Sequence, residues 1–371
     1  MTASVIYVGM DVHKDSIVIA VAEEGRRQAQ KLAEIPNDWA KLHKLLKNLQ
    51  KNGAELHVCY EAGPTGFGLC RRLREVGIDC IVVAPSLVPH KAGDRVKTDR
   101  RDAAKLAHFL RSGDLTEVHV PDEAIEAIRD LERARDDAKR AELVAKHQLS
   151  KFLLRHDRRC AHKAWTRKYM DWVRTQKFAY PAQQIVLNDY VKTVEDLGER
   201  VERLTKAMEE LVESTVLAPL VKALQAFRGI SLVSAVTIAA EVGGDLTRFA
   251  TPQRFMSYVG LVPSEDSTGR RRWQGSITRC GNSQLRRILV ESAWHYRHWP
   301  SLSTELRRRN QGVAEGVRKI AWKAQNRLHK RMLHLLKAGK NSQKTVTALA
   351  RELAGFIWAV GQEKTLLEGV T

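Results

Sequence analysis

The sequence predicts an α/β domain followed by a mostly helical remainder, an α/β plus α protein of 371 residues. Three observations predict it. Short β-branched runs alternate with helical periods over residues 1–120. Heptad spacing runs through 121–214. From 215 to 371 the apolar spacing is helical, with a strong basic excess. The length by itself calls for more than one unit.

In the first segment, Val5 to Met10 and Ser16 to Ala22 are apolar, β-branched runs joined by the polar link Asp11 to Asp15. They predict a hairpin with Asp11 at or near its turn. Gln28 to Ile35 supplies a third strand. Trp39, Leu42, Leu45, Leu46 and Leu49 keep a helical period, so Asn37 to Gln50 is a helix. Leu56 to Tyr60 is a short strand of buried type that ends at Glu61. Gly63, Pro64 and Gly66 break the chain before a helix through Val76. Cys80 to Val83 is a strand closed by Pro85, and a helix covers about Thr98 to Arg111.

The middle segment changes character. Ile128, Leu131, Ala138, Ala145, Leu149 and Phe152 fit a heptad interrupted by Arg135 and Glu142. Leu187, Tyr190, Val194, Leu197, Val201, Leu204, Met208 and Leu211 fit a cleaner one. Two such seams pair with each other or with a second subunit, which predicts a coiled-coil arm. Between them, Leu154 to Ala182 is basic and aromatic, including Arg155, Lys163, Trp165 and Lys168. The segment reads equally as a helical tip with buried rings and as a stacking and phosphate surface for nucleic acid.

The last segment opens with Leu224 to Gly229, Ser231 to Val242, then Gly243 and Gly244. It reads as helix, tight turn, helix, and resembles a helix-hairpin-helix, whose turn amides grip phosphates. Residues 284–371 are largely helical. From Arg270 to Lys340 there are 18 Lys and Arg against Glu291, Glu305 and Glu315. A solvated charge run mixes signs, so this stretch reads as a phosphate-binding face. Its candidate contacts are Arg270, Arg271, Arg272, Arg279, Arg286, Arg287, Arg307, Arg308, Lys323 and Arg327.

The whole chain carries 62 Lys and Arg against 43 Asp and Glu, a net charge of +19. Such a balance points to a polyanionic partner, nucleic acid first. At 43% hydrophobic, the chain builds cores and is not a disordered basic tail. No apolar run approaches the ~18 residues of a membrane span. The N-terminal stretch lacks a basic leader and places Asp11 where a signal peptide is apolar. Cys59, Cys70, Cys80, Cys160 and Cys280 are odd in number and include no CxxC pair, so neither a disulfide scaffold nor a zinc knuckle is expected. A reducing, cytoplasmic compartment is. The absence of GxxxxGK[ST], HExxH and GxSxG argues against a P-loop ATPase, a zincin and an α/β-hydrolase.

The acidic residues carry the chemistry. Asp11 ends a strand in YVGMD, Glu61 ends another in HVCYEAG, and Asp99 and Asp102 open a helix in KTDRRDA, three apart on one face. Singly, each reads as a turn former or a helix cap. Four carboxylates gathered from separate elements repel one another unless cations neutralise them, and hard oxygen ligands suit Mg²⁺ or Mn²⁺. Two such ions ~4 Å apart stabilise both oxygens of a phosphoryl transfer. Strand Asp, strand-end Glu and helical DxxD, in that order, match an RNase H-like or RuvC-like site. Asp15 and Asp94 are secondary candidates. The same carboxylates also fit a plain metal-dependent nuclease or junction resolvase that uses water. The charge alone fits a non-enzymatic architectural protein.

GMDVHKD, YEAGPTG and KTDRRDAAKLA in the first part, then GLVPSEDSTG, GSITRCGNSQLRR, AWKAQNRL and ALARELAGFIWA, resemble the IS-one-ten family of insertion-sequence transposases in order and over nearly the whole chain. These are the DEDD transposases, or bridge-RNA-guided recombinases. Arg279 stands where the family usually has Lys. The resemblance implies a RuvC-like domain, a coiled-coil arm and a C-terminal transposase domain. It places the metal-binding carboxylates at Asp11, Glu61, Asp99 and Asp102. It also places a catalytic serine in EDSTG, at Ser267, with Ser264 and Ser276 close by. Gly260, Pro263 and Gly269 put that serine on a loop, and Arg270, Arg271 and Arg272 follow as a phosphate clamp. No His or Lys partner stands in the motif. The implied chemistry is serine attack on a phosphodiester with Mg²⁺ (or Mn²⁺) at the DEDD site. The implied partners are donor and target DNA, a structured guide RNA that chooses sequence by base pairing, and other copies of the chain, dimer to tetramer. Serine and carboxylates would meet between subunits.

Overall fold

Alternating β-branched and small residues near the N-terminus form β1 (Val5–Val12) and β2 (Ser16–Glu23), an antiparallel hairpin in which Asp11 lies opposite Val18. The computed structural model describes residues 4–89, 98–269 and 271–363. Asp94 and Arg270 lie outside the described residues. The chain forms two compact units that divide between Pro121 and Asp122.

In the first unit, β3 (Gln30–Pro36) continues the hairpin, and Asp38 caps α1 (Trp39–Leu49) by accepting from Lys41 N. β4 (Glu55–Glu61), α2 (Gly68–Glu75), β5 (Asp79–Val83) and α3 (Asp99–Ser112) follow. The sheet order is β3-β2-β1-β4-β5, with β1, β4 and β5 parallel. The period of two sorts the strands. Val8, Met10, Ile17, Ile19, Val58 and Tyr60 pack on Leu42, Leu46 and Leu73 of α1 and α2. On the opposite face, Val18 and Ala20 meet Ala103 and Ala107, and Cys59 meets Leu106, all of α3. Every predicted strand and helix of this segment is present, displaced by a residue or two.

The second unit begins with α4 (Glu123–Arg155), capped by Asp122, then α5 (Arg167–Thr175) and α6 (Pro181–Val212). α4 and α6 pack against each other. Leu187, Val194, Val201 and Met208 are buried along α6, seven residues apart, and Ala138, Ala145 and Phe152 along α4. Of the two partners open to these seams, the chain uses its own. The polar interruptions have partners too: Arg135 Nε donates to Thr205 Oγ1 of α6 at 3.1 Å, and Glu142 is held by Lys139 and Lys146.

Most rings between α4 and α6 pack inward, whereas Tyr180, just before α6, is exposed. Tyr169 and Val173 are buried with Phe152 and Leu153, and Phe178 lies against Phe152. Lys146 sits 5.3 Å over the Trp165 ring, whose edge meets Tyr169. Arg155, Lys163 and Lys168 remain exposed around this small core.

α7 (Ala218–Leu224), α8 (Leu232–Glu241), α9 (Pro252–Val259), β6 (Pro263–Thr268), β7 (Arg271–Ile277), α10 (Ser283–Ala293), α11 (Thr304–Arg309), α12 (Glu315–Lys337) and α13 (Ser342–Gly361) complete the unit. α8 is apolar almost all round and lies in the core, against α4, α7 and α10. Two expectations need correction. Leu224 ends α7, and the stretch from there to Gly229 is not a helix. It is the turn between α7 and α8, because Gly229 takes a φ of +82° with Ser292 O close enough to exclude a Cβ. Ser267 is not on a loop but in β6, paired with Arg272 of β7, with Gly269 (φ +57°) at the turn. All five cysteines are free. Among the described residues, no helix is long and apolar enough to cross a membrane.

Candidate active site

Parallel pairing brings Met10 opposite Tyr60, so Asp11 and Glu61 stand together at the C-terminal edge of β1 and β4. They share the parity of Gly9 and Cys59, the side of the sheet that α3 covers. Thr98 caps α3, its Oγ1 accepting from Arg101 N, and this sets Asp99 and Asp102 in the first turn. The strand ends and the helix start therefore converge. Gly9 makes this possible: a Cβ there would lie 2.3 Å from Ala103 O and Ala107 N.

Asp11, His13 and Asp99 hold their ligand atoms within 4.8 Å of one another. His13 Nε2 is 3.4 Å from Asp11 Oδ2 and 3.6 Å from Asp99 Oδ2. Asp102 is the more buried of the helical pair and lies 3.6 Å from Lys105 Nζ. Burial raises the Asp11 carboxyl above its ordinary range. His13 opposes that rise, and the charges of Asp99 and Asp102 add to it. Of the four predicted carboxylates, the structure joins Asp11 and Asp99 directly and places Asp102 within electrostatic reach of Asp11. Glu61 stands at the same edge, outside the tight cluster. These hard, mutually repelling oxygens fit a divalent cation. Composition did not single out His13, although it sits two residues beyond Asp11, just past the end of β1.

The predicted serine sits on a two-stranded ribbon. Pairing of Ser267 with Arg272 and of Glu265 with Gln274 puts all four side chains on one face. Ser267 Oγ donates to Glu265 Oε1 at 2.9 Å, and Arg272 Nη2 donates to Glu265 Oε2 at 2.7 Å. Gln274 Nε2 donates to the same oxygen at 3.3 Å. The hydrogen bonds from Arg272, Ser267 and Gln274 hold the Glu265 carboxyl down to about 2. Ser264 Oγ is hemmed in by Gly275, where a Cβ would come within 2.4 Å of it. Glu265 is the partner that the motif did not reveal. Its signal was the strand spacing of two from Ser267, which a loop reading hides.

Two family models match the chain, one described as a transposase of the DEDD IS110 type over residues 8–156, the other as transposase IS116/IS110/IS902 family over 221–307. A putative transposase, y4qE, of Sinorhizobium fredii is 46% identical over 359 residues, 96% of this chain and 88% of that protein. The chain belongs to the IS110 family of insertion-sequence transposases. The transposase for insertion sequence element IS1533 of Leptospira borgpetersenii is 33% identical, over 89% of this chain and 96% of its own. A probable family 20 transposase of Pseudomonas aeruginosa is 28% identical over 64% of this chain and 70% of its own. The transposase is therefore an enzyme that acts on DNA.

The predicted nucleic-acid contacts of the transposase divide in two. Several perform structural work. Arg286 Nη1 donates to Val259 O at 2.9 Å, and Arg287 bonds the buried Asp136 of α4 at 2.9 Å. Arg327 pairs with Glu352, Arg308 with Glu305 and Arg272 with Glu265. Asn282 caps α10 and donates to Glu241 Oε2, and a Cβ on Gly281 would strike Tyr258 O. GSITRCGNSQLRR thus ties α10 to α8, α9 and α4. Among the described residues, Arg271, Arg279, Arg307 and Lys323 make no ion pair and are exposed or half-exposed. Arg279 holds a left-handed backbone, φ +57°.

Proposed function

We propose that the transposase joins donor and target DNA through a covalent bond between Ser267 and a DNA phosphate, under the direction of a structured guide RNA. The observation that carries this reading is the hydrogen bond from Ser267 Oγ to Glu265, on a ribbon face that also presents Arg272. The serine hydroxyl is thereby oriented, with its proton directed at a carboxylate. Arg272 neutralises Glu265 now and is positioned to exchange that ion pair for a DNA phosphate. Once it does, Glu265 regains basicity and accepts the Oγ proton. The Oγ–P bond forms, and the P–O bond to the departing strand end breaks.

Asp11, Asp99, Asp102 and Glu61 would hold Mg²⁺ or Mn²⁺, with His13 beside them. The bound ion supplies Lewis-acid charge for phosphate oxygens. The carboxylates belong to a RuvC-like first unit, and α4 and α6 form a coiled-coil arm. Exposed cations such as Arg271, Arg279, Arg307, Lys163 and Lys168 read backbone and shape, which suffices when an RNA chooses the sequence. Serine and carboxylates lie in different units, so the reading has protomers share them in a dimer or tetramer.

The test mixes Ser267→Ala protein with Asp11→Asn protein. Each alone forms no DNA adduct and transfers no strand. The mixture regains some activity, because a fraction of shared sites is wholly wild type. A dead mixture, with mixed assembly verified, rejects the sharing of sites. An adduct formed by Ser267→Ala rejects the serine. Cleavage by the wild type with no adduct at all points to a metal-dependent nuclease that uses water.

A further inference from the structure

We propose that the cavity between α11, the turn Asn310–Val313 and the first turns of α12 binds one unpaired nucleotide, its base stacked on Trp322 and its phosphates held by Arg307, Arg318 and Lys319. The cavity has a volume of about 720 Å³ and is open at one side. Its walls combine Trp322, Leu302, Val313 and Ala321 with those three cations. Glu315 is the sole acidic wall residue, and its ion pair with Lys319 is exposed and readily exchanged. Arg318 and Trp322 are four apart, Lys319 and Trp322 three apart, so the cations and the ring share one face of α12.

The ring itself is open. Trp322 is 44% exposed, and among the described residues no ring or cation covers its face. Trp39, Trp165 and Trp299 each have a ring neighbour at about 5 Å. Arg318 makes no ion pair among the described residues, and Arg307 spends only its Nε, on Leu302 O. An exposed indole face beside three cations fits a base with its flanking phosphates. A paired base offers no such face, which selects single strand, loop or bulge over duplex.

The inference rests on family membership and not on the serine mechanism. Its test is equilibrium binding, which needs no strand transfer, so either reading can fail alone. The probes are a labelled single-stranded oligonucleotide, its abasic counterpart of equal charge, and the matching duplex, in DNA and RNA versions. Against the intact single strand, Trp322→Ala in the full chain loses about tenfold in affinity, and Trp322→Phe loses less. On the abasic strand and on the duplex, Trp322→Ala and wild type bind alike. Whichever sugar shows the larger loss identifies the strand that is held. Arg318→Gln weakens intact and abasic strands together. An unchanged circular dichroism spectrum and melting midpoint verify the fold. Equal loss on intact and abasic strands, or no loss on either sugar, overturns the proposal. So does full affinity in Arg318→Gln.

Discussion

At Gly9 the space for a side chain is already taken by the backbone of α3, with Ala103 O and Ala107 N each 2.3 Å from an ideal Cβ. Backbone cannot step aside as a flexible side chain does. Gly9→Ala therefore pushes α3 from the sheet and carries Asp99 and Asp102 away from Asp11. The expected loss is about 3 kcal/mol of stability, the upper part of the overpacking range, read by urea unfolding. Strand transfer falls with it, whereas a substitution at Gly198, which has open space around it and no left-handed backbone, leaves the cluster undisturbed. The carboxylates Asp11, Glu61, Asp99 and Asp102 were legible because each ends or begins an element that the local pattern predicts. His13 and Glu265 were not. Their significance lies in what stands across a strand or a cluster from them, and one-dimensional spacing does not carry it.

The long helix α4 shows how one element serves two neighbours. Its C-terminal part meets α6 through the heptad seam. Its N-terminal part meets α8 and α10 through buried polar groups: Arg129, Glu132 and Asp136. Arg129 Nη2 donates to Ala240 O, Arg133 grips Glu241, and Arg287 grips Asp136. Thr237 Oγ1 lies 2.8 Å from Glu132 Oε1 and 2.9 Å from Val233 O, yet the hydroxyl has one proton. A protonated Glu132 donates to Oγ1 and leaves the hydroxyl proton for Val233. Burial raises the Glu132 carboxyl, Asp136 and Glu241 add to the rise, and Thr237 and Arg287 oppose it. The folded state thus keeps a proton that the unfolded state has lost. Stability falls as pH rises from the ordinary glutamate value through the raised one. Glu132→Gln removes that fall, because the amide donates to Thr237 at every pH. The variant should match wild type at the acid end of a pH series, below the ordinary glutamate value, and exceed it at the alkaline end in paired unfolding curves. Equal stabilities at both would reject a protonated Glu132. The seam of α4 was legible from its heptads. The bond of Arg287 to the buried Asp136 was not legible, because the two lie 151 residues apart in sequence.

Across the whole molecule, the count of 62 Lys and Arg overstates the cations free to contact DNA. Arg272, Arg287, Arg308 and Arg327 already face carboxylates. The logarithm of affinity for duplex DNA should fall with the logarithm of salt by about 0.9 per neutralised phosphate. Replacing Arg271, Arg279, Arg307 and Lys323 singly by Gln should lower that slope by up to about 0.9 each. The same change at Arg286 or Arg287 should instead lower the unfolding midpoint, since each releases a buried partner. Fluorescence anisotropy over a salt series, beside thermal melts, separates the two groups. The sequence by itself determined the α/β order of the first unit, the two paired seams, the basic character and the family. All follow from local periodicity, summed charge and motif order. Only the tertiary structure decided that the seams close within one chain, that Ser267 lies on a ribbon beside Glu265, and which cations are already paired. Those facts depend on partners distant in sequence, which the folded backbone, and no local pattern, brings within hydrogen-bond reach.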